Sequence, residues 1–170
     1  MKILINSFFL LFFITILAQN DKPMIGDITV EELKNSENKE WFSKYYTNYE
    51  PDNEKVQAFK KELPNENFKF EIFLGTWCPD SHREIPHMVK LFDKIEVKAD
   101  HYQLIGVNEF KDLPRKYEDR KEEIQLERVP TLIFYKDGKE VNRYVERAQN
   151  SLLDDLLAIV KETGYKNTYY

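Results

Sequence analysis

The segment that most constrains the fold is FKFEIFL, which covers residues 68–74. Apolar and charged side chains alternate at its start, and its last three residues are all apolar. Such a run is typical of a strand at the centre of a sheet, buried on both faces. The chain then enters GTWCPDSHREIP, where Pro79 suits the first turn of a helix. A buried strand that leads directly into a helix predicts an α/β domain.

Two more patterns complete the predicted sheet. YQLIGV, residues 102–107, is predicted to form a second buried strand, and residues 131–135 and 140–145 are predicted to form a hairpin. Asp137 and Gly138 between the hairpin strands are a strong turn signal. The order of strand, helix, strand, helix, hairpin and helix predicts an α/β fold with a mixed sheet flanked by helices.

Capping residues indicate where further helices begin and end. Asp52 or Asn53 is predicted to start a helix before the central strand. A last amphipathic helix is predicted to start at Asn150 and to close at Gly164. Between the second strand and the hairpin, the polar segment 109–127 is predicted to contain a short helical stretch.

An aromatic face marks the segment that precedes these elements. Trp41, Tyr45 and Tyr49 recur at every fourth residue, which is the spacing of one helical face. Upstream, Thr29 and Glu32 form a capping box that predicts a helix start. We expect the aromatic face to dock on the domain as a helical cap, because an exposed stripe of this size is unfavourable in water. A free peptide-binding groove is the alternative.

Residues 1–18 have the pattern of a secretory signal peptide. Lys2 precedes an apolar run over residues 3–18, and the polar stretch QNDKP follows. The uninterrupted apolar part is too short for a comfortable transmembrane helix, which needs about 20 residues. We expect cleavage after Ala18 and a soluble periplasmic or secreted protein without stable membrane association. An uncleaved anchor is the alternative.

Charge and composition narrow the classes of partner and cofactor. The net charge is −5 at pH 7, which argues against nucleic acid or an anionic membrane as a partner. With five glycines, the chain has little material for a phosphate-binding loop, and it contains no dinucleotide fingerprint. We expect no cofactor. His82 and His87 near Cys78 are too few for a metal site, which needs three or four ligands.

Cys78 is the only cysteine in the chain, so no internal disulfide can form. At a strand-to-helix junction, free amide groups and the helix dipole favour a thiolate. Asp80 opposes that charge, and His82 and Arg83 offset Asp80 in part. The junction also predicts an accessible sulfur at the edge of the sheet. A buried, inert thiol is the alternative.

The motif and its surroundings resemble the thioredoxin superfamily. WCPDS, residues 77–81, stands where the family has W-C-x-x-C, and Pro86 stands where its active-site helix has a kinking proline. VPT, residues 129–131, is similar to the family's cis-proline loop, and the hairpin after it is similar to the family's last hairpin. The resemblance covers about residues 52–163. It implies a thioredoxin-like mixed sheet with Cys78 as the nucleophile.

The resemblance also implies roles for the residues around Cys78. Val129 and Pro130 are implied to face Cys78 and to offer backbone hydrogen bonds to a substrate strand. The rest of the motif consists of Trp77, which is implied to be an apolar wall, and of Pro79, Asp80 and Ser81. With these assignments, the chain divides into a signal peptide (1–18), an N-terminal helical extension (19–51), a thioredoxin-like domain (52–164) and a C-terminal tail (165–170).

The chain departs from the family pattern in ways that bear on activity. Ser81 replaces the second cysteine, which in dithiol members attacks the mixed disulfide, and a serine hydroxyl cannot do this. Ile72 stands where many members carry a buried acid. The connection 108–130 is longer than usual, so a polar insertion is expected to border the groove. Within it, DRKEE at 119–123 is expected to be a solvated helix face.

Two functions are consistent with the residues of this motif. In the first, Cys78 forms mixed disulfides with exported proteins, and a substrate thiol, a low-molecular-weight thiol or a partner protein resolves them, as in an isomerase or reductase. In the second, the domain is a non-catalytic binding or chaperone-like module. An accessible, reactive Cys78 favours exchange, and a buried, unreactive one favours binding. The client, the electron donor, the direction of exchange and the oligomeric state are left open.

Overall fold

One mixed sheet forms the centre of the protein. The computed structural model describes residues 22–64 and 66–169, so the predicted signal peptide lies outside the described residues. The strands are β1 (Gly26–Ile28), β2 (Phe68–Leu74), β3 (Tyr102–Gly106), β4 (Thr131–Lys136) and β5 (Lys139–Val145). Their order in the sheet is β1-β3-β2-β4-β5, with β2 and β3 parallel and the other neighbours antiparallel. The predicted mixed sheet is confirmed.

Helices flank this sheet. They are α1 (Val30–Asn35), α2 (Lys39–Asn48), α3 (Asn53–Glu62), α4 (Pro79–Ile95), α5 (Lys121–Ile124) and α6 (Leu152–Val160), with 3-10 turns at Ala99–His101 and Arg115–Arg120. Thr29 caps α1 through the predicted capping box, and Asp52 caps α3. α6 is capped by Ser151 rather than by Asn150, because the Ser151 hydroxyl accepts a hydrogen bond from the Asp154 amide. No helix among the described residues is long and apolar enough to cross a membrane.

The sheet separates two apolar clusters. The larger one joins Phe70 and Ile72 of β2 to side chains of α3, α4 and α6. The smaller one contains Phe73, Cys78 and Tyr117. Since neighbouring residues of a strand point to opposite faces, β2 is buried on both sides. The prediction of a central strand at residues 68–74 is therefore confirmed.

The N-terminal segment is built into the domain. β1 pairs with β3, and Gly106 of β3 has no room for a side chain, because a Cβ there would lie 2.0 Å from the Met24 carbonyl oxygen. Phe42 of α2 is buried in the larger cluster. The Trp41 ring stacks on the His82 ring of α4, with the ring centroids 4.4 Å apart. The predicted docking of the aromatic face is confirmed.

The C-terminal residues also contact the sheet. Asn142 Nδ2 of β5 donates a hydrogen bond to the Tyr165 carbonyl oxygen at 2.8 Å. Asn167 is buried, and the Arg128 guanidinium lies 3.9 Å from the centre of the Tyr169 ring. The predicted C-terminal tail thus packs on the domain as far as Tyr169.

Candidate functional site

Cys78 lies where β2 turns into α4. The Cys78 amide donates a hydrogen bond to the Gly75 carbonyl oxygen at 2.9 Å, which closes the turn after the strand. Cys78 is the N-cap residue of α4 and Pro79 is its first residue, as the sequence predicts. The Cys78 side chain makes no capping hydrogen bond. Because Cys78 is the N-cap residue, its sulfur lies at the positive end of the helix dipole.

The Cys78 sulfur faces the loop that contains Val129 and Pro130. The thiol donates to the Val129 carbonyl oxygen, with 3.4 Å between Sγ and O. The Val129–Pro130 peptide bond is cis. The structure therefore brings together the nucleophile and the two loop residues that the sequence pattern implies. Cys78 is only 7% exposed, so the prediction of an open sulfur is wrong: the side chain is packed in the smaller apolar cluster.

Ser81 lies one helical turn beyond Cys78 and is completely buried. Its hydroxyl oxygen accepts a hydrogen bond from the Gly75 amide at 3.2 Å. This contact ties the first turn of α4 to the loop that precedes it. Ser81 thus has a structural role in the motif that requires no redox chemistry.

The other motif side chains fix the shape of the loop. Trp77 Nε1 donates to the Val107 carbonyl oxygen at 3.0 Å, just after β3. A Cβ at Gly75 would lie 2.5 Å from the Trp77 ring, so any larger residue there would displace the indole. Asp80 accepts a hydrogen bond from Arg83 at 2.7 Å. As predicted, Arg83 offsets the carboxylate charge nearest to the thiol.

Comparison with known proteins identifies the family. A thioredoxin family model matches residues 29–153, which is well over half of the chain. This chain belongs to the thioredoxin family. The crystal structure of a protein of unknown function, PA1234 from Pseudomonas aeruginosa, matches 82% of this chain and 95% of that chain, with a TM-score of 0.55 and 15% identity. That similarity shows a shared fold. An HIV epitope-scaffold also matches, over 72% of this chain and 81% of that chain, with a TM-score of 0.49 and 15% identity.

In this thioredoxin-family chain, His82 connects the motif to α2. Its ring stacks on Trp41, and its Nε2–H donates to the Thr76 carbonyl oxygen at 2.6 Å. Thr76 precedes Trp77 and Cys78, so the contact joins the N-terminal helices to the loop of the candidate site. The sequence pattern indicated only a charge near the thiol at this position, and it gave no sign of the stacking on Trp41.

His87 makes a second contact of the same kind, because its ring stacks on Tyr49 with centroids 4.3 Å apart. Burial and then the charges of Arg83 and Lys90 lower the pKa of His87 to about 4. Among the described residues, no group of three or more histidine, cysteine, aspartate or glutamate side chains is placed to hold a metal ion. The rings of His82 and His87 each stack on an aromatic side chain of the N-terminal segment.

A buried carboxylate lies on the same face of β2 as Phe73. Glu71 is 4% exposed, and Arg120 donates to Glu71 Oε1 at 2.9 Å. Arg120 also donates to the Tyr135 hydroxyl at 3.0 Å. The carboxylates of Glu123 and Glu71 raise the pKa of the Arg120 guanidinium. The prediction that DRKEE is a solvated face is therefore wrong for Arg120, which the buried carboxylate draws inward.

Glu71 is a buried polar residue that was not among the predicted site residues. Ile72, at the place of the family's buried acid, is apolar and fully buried. The signal that could have pointed to Glu71 is a single charged residue inside the apolar part of β2. Such a residue needs a partner, because an isolated charge is very unfavourable in the interior.

Proposed function

We propose that this protein exchanges thiols and disulfides through Cys78 alone. The observation that supports this most strongly is the position of Cys78 Sγ, at the N-terminus of α4 and 3.4 Å from the Val129 carbonyl oxygen. A helix N-terminus stabilises a thiolate. The backbone of Val129 beside Pro130 is suited to pair with an extended substrate segment. With one cysteine in the chain, the intermediate is a mixed disulfide with another molecule.

Cys78 takes part in two attacks of a thiolate on sulfur. The Cys78 thiol first releases its proton to solvent. Its thiolate attacks one sulfur of a client disulfide, whose S–S bond breaks as the bond between Cys78 and the client forms, and the second client sulfur leaves as a thiolate. A thiolate from outside the chain then attacks the mixed disulfide, and Cys78 leaves as a thiolate. When the client's own thiolate resolves the intermediate, the client is isomerised. When a low-molecular-weight thiol resolves it, a mixed disulfide between the client and that thiol is left. A second equivalent of the thiol then attacks this disulfide, which gives the reduced client and the oxidised low-molecular-weight disulfide.

The neighbours of Cys78 have distinct parts in this proposal. Ser81 cannot resolve the intermediate, since its oxygen is not a thiolate and its hydroxyl is held by the Gly75 amide. The backbone of Val129 and Pro130 positions the substrate strand, and Trp77 is the apolar wall of the groove. Pro79 and Asp80 shape the first turn of α4.

We further propose that the protein acts after export, in the periplasm or outside the cell. The support is the signal pattern over residues 1–18. An exported protein meets an oxidising compartment in which client disulfides persist. Exported protein thiols and disulfides, or a low-molecular-weight thiol, are then the partners.

One observation favours a second function. Cys78 is nearly buried, and its S–H is engaged by the Val129 carbonyl oxygen. A thiol held in this way suits a binding module, in which the groove beside Pro130 holds an extended client without turnover. The two functions differ in one measurable property, the reactivity of Cys78 in the folded protein.

The test uses glutathione disulfide and the intact mass of the folded protein. Exchange predicts that one glutathionyl group is added, that excess thiol removes it, and that the Cys78→Ser variant stays unmodified. The Ser81→Ala variant is the matched control, because it keeps the thiol and changes only its neighbour. If the native wild-type protein stays unmodified while the unfolded chain reacts, the exchange function is wrong and the binding function is retained.

A further inference from the structure

The connection between β3 and β4 forms a large open cleft, which we call the insertion cleft. Its volume is about 860 Å³, and it lies between the loop 110–113 and the segment 118–127. This volume is large enough for several side chains of a bound peptide. None of the proposed exchange residues lines it. The insertion cleft is thus distinct from the position of the Cys78 sulfur.

Phe110 stands at the rim of the insertion cleft with 82% of its surface exposed. The loop that carries it is held by two reciprocal hydrogen bonds between Asn108 and Asp112: the Asn108 amide donates to the carboxylate at 2.9 Å, and the Asp112 backbone N–H donates to the Asn108 side chain at 3.0 Å. The fold therefore holds a large apolar ring in water. Such a ring gains free energy when a partner covers it.

The apolar floor of the insertion cleft continues toward the proposed site. Leu113 and Leu126 line the cleft, and both pack against the apolar cluster that contains Cys78. Glu127, another lining residue, is two positions before Val129, whose carbonyl oxygen contacts the Cys78 sulfur. A peptide that extends along this surface from the insertion cleft would therefore approach Cys78.

The rim of the insertion cleft has an excess of negative charge. Four carboxylates line it, those of Asp112, Glu118, Glu122 and Glu127, against the two lysines at 111 and 121. Within the described part of the chain, no ion pair joins any of these six side chains to a partner. Asp112 accepts a hydrogen bond from Asn108, and the carboxylates of Glu118, Glu122 and Glu127 are available to an incoming ligand. Complementarity favours a ligand that is basic beside its apolar group.

We propose that the insertion cleft binds an extended peptide segment in which a large apolar side chain is flanked by lysine or arginine. The apolar side chain packs against Phe110, Leu113 and Leu126, and the basic side chains face Glu118 and Glu122. Such a segment is the substrate class of the proposed exchange function. The proposal rests on that function, which gives the reason why a client binds in the insertion cleft. The contacts themselves require no cysteine.

The test measures binding of a fluorescent peptide that contains phenylalanine between lysines and no cysteine, with fluorescence anisotropy as the readout. Two matched peptides have glutamate in place of the lysines, or serine in place of the phenylalanine. The full-length wild-type protein is expected to bind the first peptide about tenfold more tightly than either matched peptide. Higher salt is expected to weaken the binding of the first peptide.

Three variants of the protein locate the binding. Phe110→Ser, and Glu118→Gln combined with Glu122→Gln, are each expected to weaken binding of the basic peptide about tenfold. Glu54→Gln is the matched control: Glu54 is an exposed acid on α3, which packs on the other apolar cluster, and the variant is expected to bind as the wild type does. Since the substituted side chains are exposed, far-ultraviolet circular dichroism of every variant should match that of the wild type.

The proposal is overturned if the basic peptide does not bind, if the acidic peptide binds as tightly, or if the Phe110 and Glu118/Glu122 variants bind like the wild type. It is also overturned if sedimentation shows a dimer that Phe110→Ser dissociates, because the insertion cleft then accommodates a second copy of this chain. The readout is independent of Cys78. If the basic peptide binds and Cys78 is inert, the peptide-binding proposal is retained and the exchange function is wrong. If Cys78 is reactive and no peptide binds selectively, the exchange function is retained and the peptide-binding proposal is wrong.

Discussion

In the proposed exchange, Ser81 at the position of a second cysteine means that another molecule has to complete the reaction of Cys78. Its buried hydroxyl supports the Gly75 amide, so the position has structural use even without a thiol. Glu71 and Arg120 show the same principle elsewhere, since a polar pair replaces apolar packing on one face of β2. In both cases the role of the side chain follows from a hydrogen bond in the folded protein, which the neighbouring residues in the sequence do not indicate.

Replacing Ser81 by cysteine should restore a dithiol. The new sulfur would lie one helical turn from Cys78, a separation that a C-x-x-C disulfide can span. We expect Ser81→Cys to release a trapped glutathionyl group without added thiol and to form an internal disulfide, both visible as intact mass. Ser81→Ala, which also loses the hydroxyl, should keep the glutathionyl group. If Ser81→Cys retains it as long as the wild type does, residue 81 is not within reach of Cys78.

Removing the charge of Arg120 should destabilise the fold through Glu71. Arg120→Leu leaves the buried Glu71 carboxylate with only Lys69, whose Nζ lies 3.8 Å from Oε1. We expect this change to lower the free energy of unfolding by about 3 kcal/mol in a urea titration. The double variant Arg120→Leu with Glu71→Leu should recover much of this loss, because no charge is then left unpaired. Strictly additive effects of the two substitutions would contradict an energetic coupling between them.

Most elements follow from local sequence signals, whereas the partners of individual long-range contacts do not. β2, the hairpin of β4 and β5, and the start of α4 follow from apolar runs, turn residues and a helix-start proline that are neighbours in the chain. β1 has three residues, too few for a pattern, and it depends on pairing with β3. The stacking of His82 on Trp41 and of His87 on Tyr49 joins residues far apart in the chain, so periodicity alone could not assign these partners.

The contact between α2 and α4 should weaken in acid. The pKa of His87 is about 4 in the folded protein against an ordinary 6.5, so the unfolded chain binds more protons between these values. Stability is therefore expected to fall as the pH is lowered from about 6.5 to about 4. His87→Phe keeps an aromatic ring against Tyr49 and should flatten the pH dependence of the urea midpoint over this window. An unchanged slope in this variant would contradict the assignment.

At the scale of the whole molecule, the sheet and the N-terminal segment form one structure. β1 extends the sheet beside β3. The segment that contains α2 packs on α4, the helix that begins directly after Cys78. The family match likewise begins at residue 29, ahead of the domain start predicted at residue 52. The candidate site could be predicted because it follows from one motif and one loop, whereas the burial of its sulfur depends on packing from several segments.

Deleting the described residues before Asp52 should lower the melting temperature. The deletion removes a strand and exposes the apolar surface that Phe42 and the stacked rings cover, and each buried aromatic ring contributes a few kcal/mol. In the full chain, Phe42→Ala should produce a graded version of the same effect, about 3 kcal/mol. A melting temperature that neither change affects would mean that the segment is independent of the domain.

The proposed exchange requires that Cys78 act as a nucleophile in the folded protein. The most direct measurement is the rate at which iodoacetamide alkylates Cys78 near neutral pH, in the native protein and in the same chain unfolded in urea. If Cys78 is the nucleophile, the native protein is expected to be alkylated faster than it unfolds, with a rate that increases with reagent concentration. Alkylation that stops increasing with reagent and matches the unfolding rate would show a thiol that reacts only after unfolding, and would contradict the claim.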